Sequence, residues 1–279
     1  MCTFQGDGFI EAAQDNLVEQ TLQPKEWAQF SQSVQQLATS RERKAGSFEK
    51  FIEFVQRNDH SIFLDAANIA FFNTMKFITE NRKYSDERFQ WPQVIKVYDL
   101  VRQTFPDSRV MVIAHNYRCR SKFVRSHEVR EFVDKLQVCY PPNCAIWCFC
   151  VALHWHVVYV TMLSRLQSQG DLWVTPNGSN DDWYWLYGVI SKGRYGMLVS
   201  NDDMRDHIFE LLRPRYFIKW RELHRCKYSV STEEDAIQAS LELPPRFSTC
   251  VQLLPQSECW MFPGENGMWL CARPKALGS

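Results

Sequence analysis

The chain has 279 residues, of which 45% are hydrophobic, so it can bury a large core and is not a mainly disordered protein. Its 32 Lys and Arg balance its 32 Asp and Glu, which excludes an overall positive field, and any contact with nucleic acid must come from local clusters of cations. Gly and Pro number 11 and 12, too few for a collagen-like or linker-like chain. The composition predicts one large globular domain or a domain with an appendage.

Strand and helix patterns alternate along residues 28–212. Apolar residues at helical spacing predict helices over Ala28–Phe54, with a break at Gly46. The later predicted segments are, in chain order, a strand over Ser61–Leu64, a helix to about Glu80, a helix over Trp91–Thr104, a strand over Arg109–Ala114, a strand over Asp171–Thr175, a helix over Asp181–Ile190, a strand over Gly196–Ser200 and a helix over Asp203–Leu212. This alternation predicts an α/β fold with a mostly parallel four-stranded sheet flanked by helices.

The alternation stops after Pro214, where two short antiparallel strands are expected in TCVQLLP and ECWMFP. Residues 240–273 are therefore interpreted as a small β-rich satellite subdomain, against which an amino-terminal segment, 1–27, packs. The main domain is placed at 28–239, and 274–279 is a tail.

Residues 139–163 contain no Asp, Glu, Lys or Arg and include an apolar run of about transmembrane length. The run would interrupt the sheet between its second and third strands, and it contains His154 and His156. A buried or poorly ordered insertion, placed at 119–162, is favoured over a membrane span. A metal site built from Cys144, Cys148, Cys150 and the two histidines is a further alternative, but its spacing is not that of a standard zinc site.

The ten cysteines show no regular framework spacing, and no secretory or organelle signal precedes them. Reduced thiols or a metal site are therefore favoured over disulfides, and the protein is expected to be intracellular.

Acidic residues follow three of the predicted strands. Asp65 ends the first strand, Asp181 and Asp182 follow the third, and Asp202 and Asp203 follow the fourth. The carboxyl ends of parallel strands meet at one edge of a sheet, where clustered carboxylates repel one another unless cations neutralise them. Oxygen ligands without convergent His or Cys favour Mg²⁺ or Mn²⁺. Taken singly, each acid could instead cap a helix.

Three stretches of the sequence carry a family resemblance: LDAANIAFF, TPNGSNDDWYWLYG and VSNDDMRDHIFELL. They resemble the signatures of the metallonuclease (NYN/PIN-like) domain of protein-only RNase P, the proteinaceous enzyme that removes 5′ leaders from precursor tRNA. The resemblance covers about residues 2–273 apart from the insertion. It implies a PIN-like Rossmannoid nuclease fold in which Asp65, Asp181, Asp182 and Asp202 are the catalytic, metal-binding residues.

The satellite subdomain departs from the family pattern. The resemblance implies a structural zinc site, but only Cys2 and Cys271 match its ligands, and Met261 stands where the family has a His. Cys259 lies two residues before Met261, on the same face of a strand, and could substitute. An apolar contact in place of Zn²⁺ is the favoured interpretation. The family's helical RNA-binding repeat array is also absent, so affinity for RNA could depend on a missing region or an accessory protein.

The predicted chemistry is hydrolysis of a phosphodiester assisted by two metal ions, leaving a 5′-phosphate and a 3′-hydroxyl. Asp203 and Asp206 are candidates for acids that act near the metal ions without binding them directly, and Asn68 is a candidate for positioning the phosphate or water. Arg118, Arg120 and Lys122 are candidates for RNA binding, as is a second basic cluster within 213–227, although an ordinary solvated surface is the favoured explanation of both clusters.

Two alternative functions stay open at this point. The chain could be an RNA-binding or assembly protein with a degenerate nuclease fold, or a PIN-like nuclease that acts on another structured RNA. Because the family occurs in several compartments, nucleus and mitochondrion are both expected locations.

Overall fold

The computed structural model describes residues 9–10, 15–17, 21–42, 46–72, 89–119, 165–204, 214–233, 236–245, 247, 250–254, 256–264 and 268–273. Its helices are α1 (Pro24–Arg41), α2 (Ser47–Arg57), α3 (Ala66–Ala70), α4 (Trp91–Thr104), α5 (Asn116–Cys119), α6 (Asp181–Ser191) and α7 (Pro214–His224). Its strands are β1 (Phe9–Ile10), β2 (Asp15–Asn16), β3 (His60–Asp65), β4 (Arg109–His115), β5 (Leu172–Thr175), β6 (Met197–Val199), β7 (Arg225–Glu233), β8 (Ala236–Glu242), β9 (Gln252–Leu253), β10 (Trp260–Pro263) and β11 (Trp269–Ala272).

The central sheet has the strand order β5-β4-β3-β6-β7-β8. Strands β5 to β7 are parallel, and β8 pairs antiparallel with β7. The predicted α/β class and the four parallel strands are confirmed. The predicted number of strands is wrong, because β7 and β8 extend the sheet to six. Their signal was present as alternation, since Cys226, Tyr228 and Val230 of β7 are buried at every second position.

Neighbouring residues of the central strands supply two different cores. Phe63 of β3 and Met111 of β4 face a core that α1, α2, α6 and α7 cover. Leu64 and Val112, the next residues along these strands, face the core that contains α4 and the inner side of β7. The sheet is therefore buried on both faces, as expected for parallel strands.

Local sequence explains where the principal helices begin. Helix α1 starts at Pro24, and the Glu26 carboxylate accepts a hydrogen bond from the Gln23 amide in a capping box. Helix α2 follows Gly46, whose φ of +74° favours glycine. Helix α6 is capped by Asn180. Its Trp183, Tyr184 and Trp185 are all buried in the same core as Phe63 of β3.

Gly188 sets how closely α6 approaches the sheet. A Cβ atom at this position would collide with the ring of Phe63. Alanine gains about 1 kcal/mol of helix propensity over glycine, but overpacking a core costs about 1–3 kcal/mol. We expect Gly188→Ala to lower the free energy of unfolding by up to about 2 kcal/mol in urea titrations. Adding Phe63→Leu should recover part of this loss, whereas a stabilised single variant would contradict the close packing.

The satellite sheet has three antiparallel strands in the order β11-β10-β9, one more than predicted. Leu254, Met261 and Trp269 form a small core with Ile10 and Leu17 from the amino-terminal segment. In the part of the chain that the structure describes, no helix is long and apolar enough to cross a membrane. The uncharged run at 139–163 and most of the predicted insertion lie outside the described residues, as does the predicted helix over 205–212. Asp203 and Met204, which begin that prediction, are not helical.

Candidate active site

Asp65 lies at the carboxyl end of β3, between β4 and β6 in the middle of the sheet. Asp65 is only 3% exposed. One carboxylate oxygen accepts a hydrogen bond from the Asn68 amide at 3.0 Å, and the other accepts one from the Ser200 hydroxyl at 3.0 Å. Burial raises the pKa of Asp65 well above its usual range, and the charges of Asp182 and Asp181 raise it further. Asp65 therefore caps α3 and also lies within the electrostatic field of the other acids.

Asp181 and Asp182 form the first turn of α6, where the helix dipole favours negative charge. The Asn180 side chain accepts a hydrogen bond from the Asp182 amide at 3.0 Å and fixes this turn. Burial and the neighbouring Asp182 raise the pKa of Asp181 to about 6, while the charge of Arg118 acts in the opposite direction. Burial and the charge of Asp182 together therefore outweigh the effects that favour the ionised form of Asp181.

Asp202 follows β6, the neighbour of β3 on its other side. Its amide donates to the Ser200 hydroxyl at 3.1 Å, and one of its carboxylate oxygens accepts from the Met204 amide at 2.8 Å. Because the Ser200 hydroxyl also donates to Asp65, one buried side chain joins the backbone of Asp202 to the carboxylate of Asp65. The structure thus brings Asp65 and the Asp202 loop together, and it brings Asp181 and Asp182 within electrostatic range of Asp65.

Asn68, Asp203 and Asp206 are the residues predicted to act near the metal ions without binding them, and the structure gives them different surroundings. The Asn68 side chain accepts a hydrogen bond from the Asn201 amide at 2.8 Å, which ties α3 to the loop after β6. The Asp203 carboxylate pairs with Arg225 at 2.9 Å, and its carbonyl accepts from Arg221 at 2.6 Å. Asp203 therefore holds α7 and the start of β7 against the loop. Asp206 lies outside the described residues.

The donor set at this edge consists of carboxylate oxygens, which suit a hard divalent cation. Among the residues that the structure describes, no group of three or more His, Cys, Asp or Glu is already arranged to hold a metal ion. The hydrogen bonds of Asp65 and Asp202 hold their carboxylates in their own turns, and repulsion opposes a closer approach. The residues fit a divalent cation by chemistry and by charge, and convergence on one ion would require movement of their side chains.

Arg118 lies beside this acidic edge, in α5 after β4. Its guanidinium is 4.9 Å from the ring centre of Phe71, 5.3 Å from that of Phe89 and 5.2 Å from that of Tyr117. These aromatic rings restrict where the charge can lie while leaving its field at Asp181. Of the other cations predicted to bind RNA, Arg120 and Lys122 lie outside the described residues.

The second basic cluster is largely engaged in contacts within the protein. Arg225 donates to the Asp202 carbonyl at 2.7 Å in addition to its ion pair with Asp203. Lys227 lies 3.4 Å from Glu242, and Lys219 lies 4.0 Å from Glu26. Arg225 therefore supports the loop that carries Asp202.

The satellite thiols lie close together. Cys259 and Met261 are buried and Trp260 between them is exposed, so the predicted shared face of Cys259 and Met261 is confirmed. Met261 pairs with Cys271 across β10 and β11. Burial raises the pKa of the Cys259 thiol, but hydrogen bonds with Arg273, Ser257 and Cys271 outweigh it and hold that pKa below its usual value. Cys2 lies outside the described residues, so zinc binding by Cys2, Cys259 and Cys271 stays a prediction.

Sequence reasoning missed two residues that shape the acidic edge, Ser200 and Tyr228, and it did not predict that Arg225 supports the loop of Asp202. Ser200 directly precedes the NDD motif, so its position beside the acids was readable. The contribution of Arg225 and Tyr228 depends on β7, a strand that was not predicted.

Comparison with known proteins agrees with the signatures in the sequence. A family model described as protein-only RNase P matches residues 153–268. Proteinaceous RNase P 1, chloroplastic/mitochondrial, from Arabidopsis thaliana is 30% identical over 278 residues, which cover 96% of this chain and 40% of that protein. Over nearly its whole length, this chain is similar to the protein-only RNase P family.

Other proteins of the protein-only RNase P family extend the similarity. Proteinaceous RNase P 2 from Arabidopsis thaliana is 28% identical over 267 residues, which cover 90% of this chain and 42% of that protein. A crystal structure of nuclear proteinaceous RNase P 2 (PRORP2) from A. thaliana superposes with a TM-score of 0.64 at 24% identity, over 98% of this chain and 49% of the other. A second structure of PRORP2 gives a TM-score of 0.63 at 25% identity. The chain thus shares the fold and spans about two fifths of the length of these curated relatives.

Proposed function

We propose that this chain is a metal-dependent endoribonuclease that removes the 5′ leader of precursor tRNA. The observation that carries the proposal is the buried carboxylate of Asp65, at the end of the central strand, within the field of Asp181 and Asp182. A fold that only needed stability would gain nothing from three acids whose charges oppose one another. The names of the relatives point to the same activity.

The carboxylates of Asp65, Asp181, Asp182 and Asp202 would hold the cations, which we propose are two Mg²⁺ or Mn²⁺ ions. Bound divalent ions supply activation of a water molecule and neutralise charge on the phosphate and the leaving oxygen. Burial and, after it, repulsion between the acids raise the pKa of Asp65 and Asp181, and in this proposal the cations also offset that repulsion. A structural Zn²⁺ in the satellite is not required for this chemistry.

The remaining residues of the edge orient the acids and the RNA. Ser200 and Arg225 hold the loop of Asp202, while Asn68 fixes the turn that carries Asp65. Arg118 supplies positive charge where a phosphate of the RNA approaches Asp181. In-line attack by water, without a nucleophilic side chain, would leave a 5′-phosphate on the tRNA and a 3′-hydroxyl on the leader.

Substrate affinity is proposed to depend partly on sequence or proteins beyond this chain. The relatives are longer, and contacts along a precursor tRNA need an extended positively charged surface. An RNA-binding repeat region or an accessory protein would supply it. The relatives' names include chloroplastic/mitochondrial and nuclear forms, and an intracellular location is proposed for this chain.

The direct test uses this chain alone with a precursor tRNA labelled at its 5′ end. We expect Mg²⁺ to support release of the intact leader, and EDTA to stop it. Sequencing the product ends should give a 5′-phosphate at the first nucleotide of the mature tRNA. Cleavage at scattered sites, or equal cleavage in EDTA, would contradict the proposal.

The raised pKa of Asp181 predicts how the metal-free protein responds to pH. Its pKa is about 6 in the fold, against an ordinary value of 3.8, so ionisation destabilises the folded state as the pH rises from about 4 to above 6. At pH 7.5 in EDTA, we expect Asp181→Asn to be more stable than the wild type by about 2–3 kcal/mol. The difference should vanish near pH 4.

Urea unfolding followed by tryptophan fluorescence at both pH values checks this expectation. Adding Mg²⁺ at pH 7.5 should stabilise the wild type more than Asp181→Asn, because a ligand that binds only the folded state stabilises it. A variant that is less stable than the wild type by the same amount at both pH values would show that repulsion at Asp181 is not important.

A further inference from the structure

A chain of hydrogen bonds connects β7 to the acidic edge. The hydroxyl of Tyr228 donates to the side-chain oxygen of Asn68 at 2.8 Å, across 160 positions of sequence. The same oxygen also accepts a hydrogen bond from the backbone amide of Asn201 at 2.8 Å. Both acceptor positions of the Asn68 oxygen are therefore used, which defines the orientation of this side chain.

Asn201 and Tyr228 also contact each other directly. The Asn201 side chain donates to the Tyr228 carbonyl at 2.8 Å and accepts from the Tyr228 amide at 3.1 Å. This pairing continues the contact between β6 and β7 beyond the last paired residues of the strands. The backbone of Tyr228 thus holds the loop after β6, while its hydroxyl holds α3.

The two segments that Tyr228 joins carry different acids. The Asn68 amide donates to Asp65, and Asn201 directly precedes Asp202. The Tyr228 side chain is itself held in place. Tyr228 is only 4% exposed, and its ring packs edge-on against the Phe72 ring, with the ring centres 5.2 Å apart. Burial and the charge of Asp65 raise the pKa of Tyr228, so its hydroxyl keeps its proton and acts as a donor.

We propose that Tyr228 is a positioning residue for the metal site, whose hydroxyl acts through Asn68 to set the relative placement of Asp65 and Asp202. The inference rests on the proposed function, because it assigns these two acids to one site for divalent cations. Carboxylates from separate segments bind an ion tightly only when their relative placement is restricted before binding, and partners outside the ligand shell typically contribute 10- to 100-fold in affinity or activity.

The test compares Tyr228→Phe with a matched variant, Tyr98→Phe. The Tyr98 hydroxyl is also buried and donates to a carboxylate oxygen of Asp171 at 2.6 Å, at the opposite edge of the sheet. Both variants lose one buried hydroxyl, so both should lose some stability. Binding of Mn²⁺ to the RNA-free chain is measured by the electron paramagnetic resonance signal of free Mn²⁺. Half-saturating Mg²⁺ for cleavage of precursor tRNA is measured in parallel.

We expect Tyr228→Phe to weaken Mn²⁺ binding and to raise the half-saturating Mg²⁺ concentration about 10-fold. Cleavage at saturating Mg²⁺ should largely recover, because the ligands themselves are unchanged. Tyr98→Phe should bind Mn²⁺ like the wild type. Equal Mn²⁺ affinity of Tyr228→Phe and the wild type, with loss of stability alone, would overturn the proposal.

A double substitution tests whether Tyr228 acts on the acids through Asn68. Asn68→Ala removes the acceptor of the Tyr228 hydroxyl, so adding Tyr228→Phe should weaken Mn²⁺ binding no further. Additive losses would overturn the inference. If the wild type binds Mn²⁺ no better than Asp65→Asn, the proposed function itself fails. If only the Tyr228 effects are missing, the proposed function stands and this inference fails.

Discussion

Asp182→Asn is expected to lower the rate of leader removal by about 100-fold or more at saturating Mg²⁺ while the protein stays folded. A metal ion contributes several kcal/mol of charge stabilisation in the transition state, and each 1.4 kcal/mol changes a rate about tenfold. Asn keeps the size of Asp182 and removes its charge. Because Asp182 is one of the charges that raise the pKa of Asp65, the variant also relieves repulsion in the fold.

The measurement is single-turnover cleavage of a 5′-labelled precursor tRNA, with circular dichroism and urea unfolding as controls for folding. Asp181→Asn should behave in the same way. Asp59→Asn is a suitable matched control, because Asp59 precedes β3 at the opposite edge and its side chain is 78% exposed. Cleavage within about threefold of the wild type by either active-site variant would defeat the assignment of these acids.

Asp171→Ala is expected to have the largest effect on stability, lowering the free energy of unfolding by about 3–5 kcal/mol. The Asp171 carboxylate accepts hydrogen bonds from Tyr98 at 2.6 Å and Arg109 at 3.2 Å, and lies 3.1 Å from Nε2 of His60. Its side chain is 4% exposed, so removing it leaves three polar groups without their shared partner. Burial raises the pKa of Asp171, but these hydrogen bonds outweigh it and hold the pKa below its ordinary value.

The sign of the pH dependence follows from this lowered pKa. The stabilisation from Asp171 is fully present above the pKa of the unfolded chain, near 3.8, and is lost as the pH falls through the lower pKa of the fold. Urea unfolding at pH 7 should therefore show the full difference between Asp171→Ala and the wild type. The folded fraction should still bind Mn²⁺, because Asp171 lies at the edge opposite the site. A difference below about 1 kcal/mol would contradict the importance of this buried network.

Asp171 and Asp182 illustrate how much of the site could be predicted from the sequence. Both are acids next to a short apolar strand, and the strand pattern distinguishes them only by order, since Asp171 precedes β5 and Asp182 follows it. Because the carboxyl ends of parallel strands lie at one edge of a sheet, that order predicted that the acids which follow the strands lie together at that edge. It did not reveal that Asp171 is an internal ion-pair partner, since His60, Tyr98 and Arg109 come from three other elements.

Several errors have the same physical origin. The strand β7 was missed although Cys226, Tyr228 and Val230 alternate with other residues in a strand pattern. Its place beside β6 depends on packing against α4 and the rest of the core. The basic cluster around Arg225 was a candidate for RNA binding, with an ordinary solvated surface as the favoured explanation. Neither interpretation anticipated its partners Asp202 and Asp203, because they lie on another loop.

The α/β class, the four parallel strands and the acids that follow them could be predicted from the amino-acid sequence, because backbone propensity and hydrophobic periodicity act between near neighbours. The signature motifs also predicted the family to which the comparisons show similarity. Three features emerged only from the three-dimensional fold: the sheet continues to β8, Ser200 joins Asp65 to the Asp202 loop, and Tyr228 contacts Asn68. Such contacts depend on the register of strands that are distant in sequence, and that register is set by how the two cores fill, which no local pattern specifies.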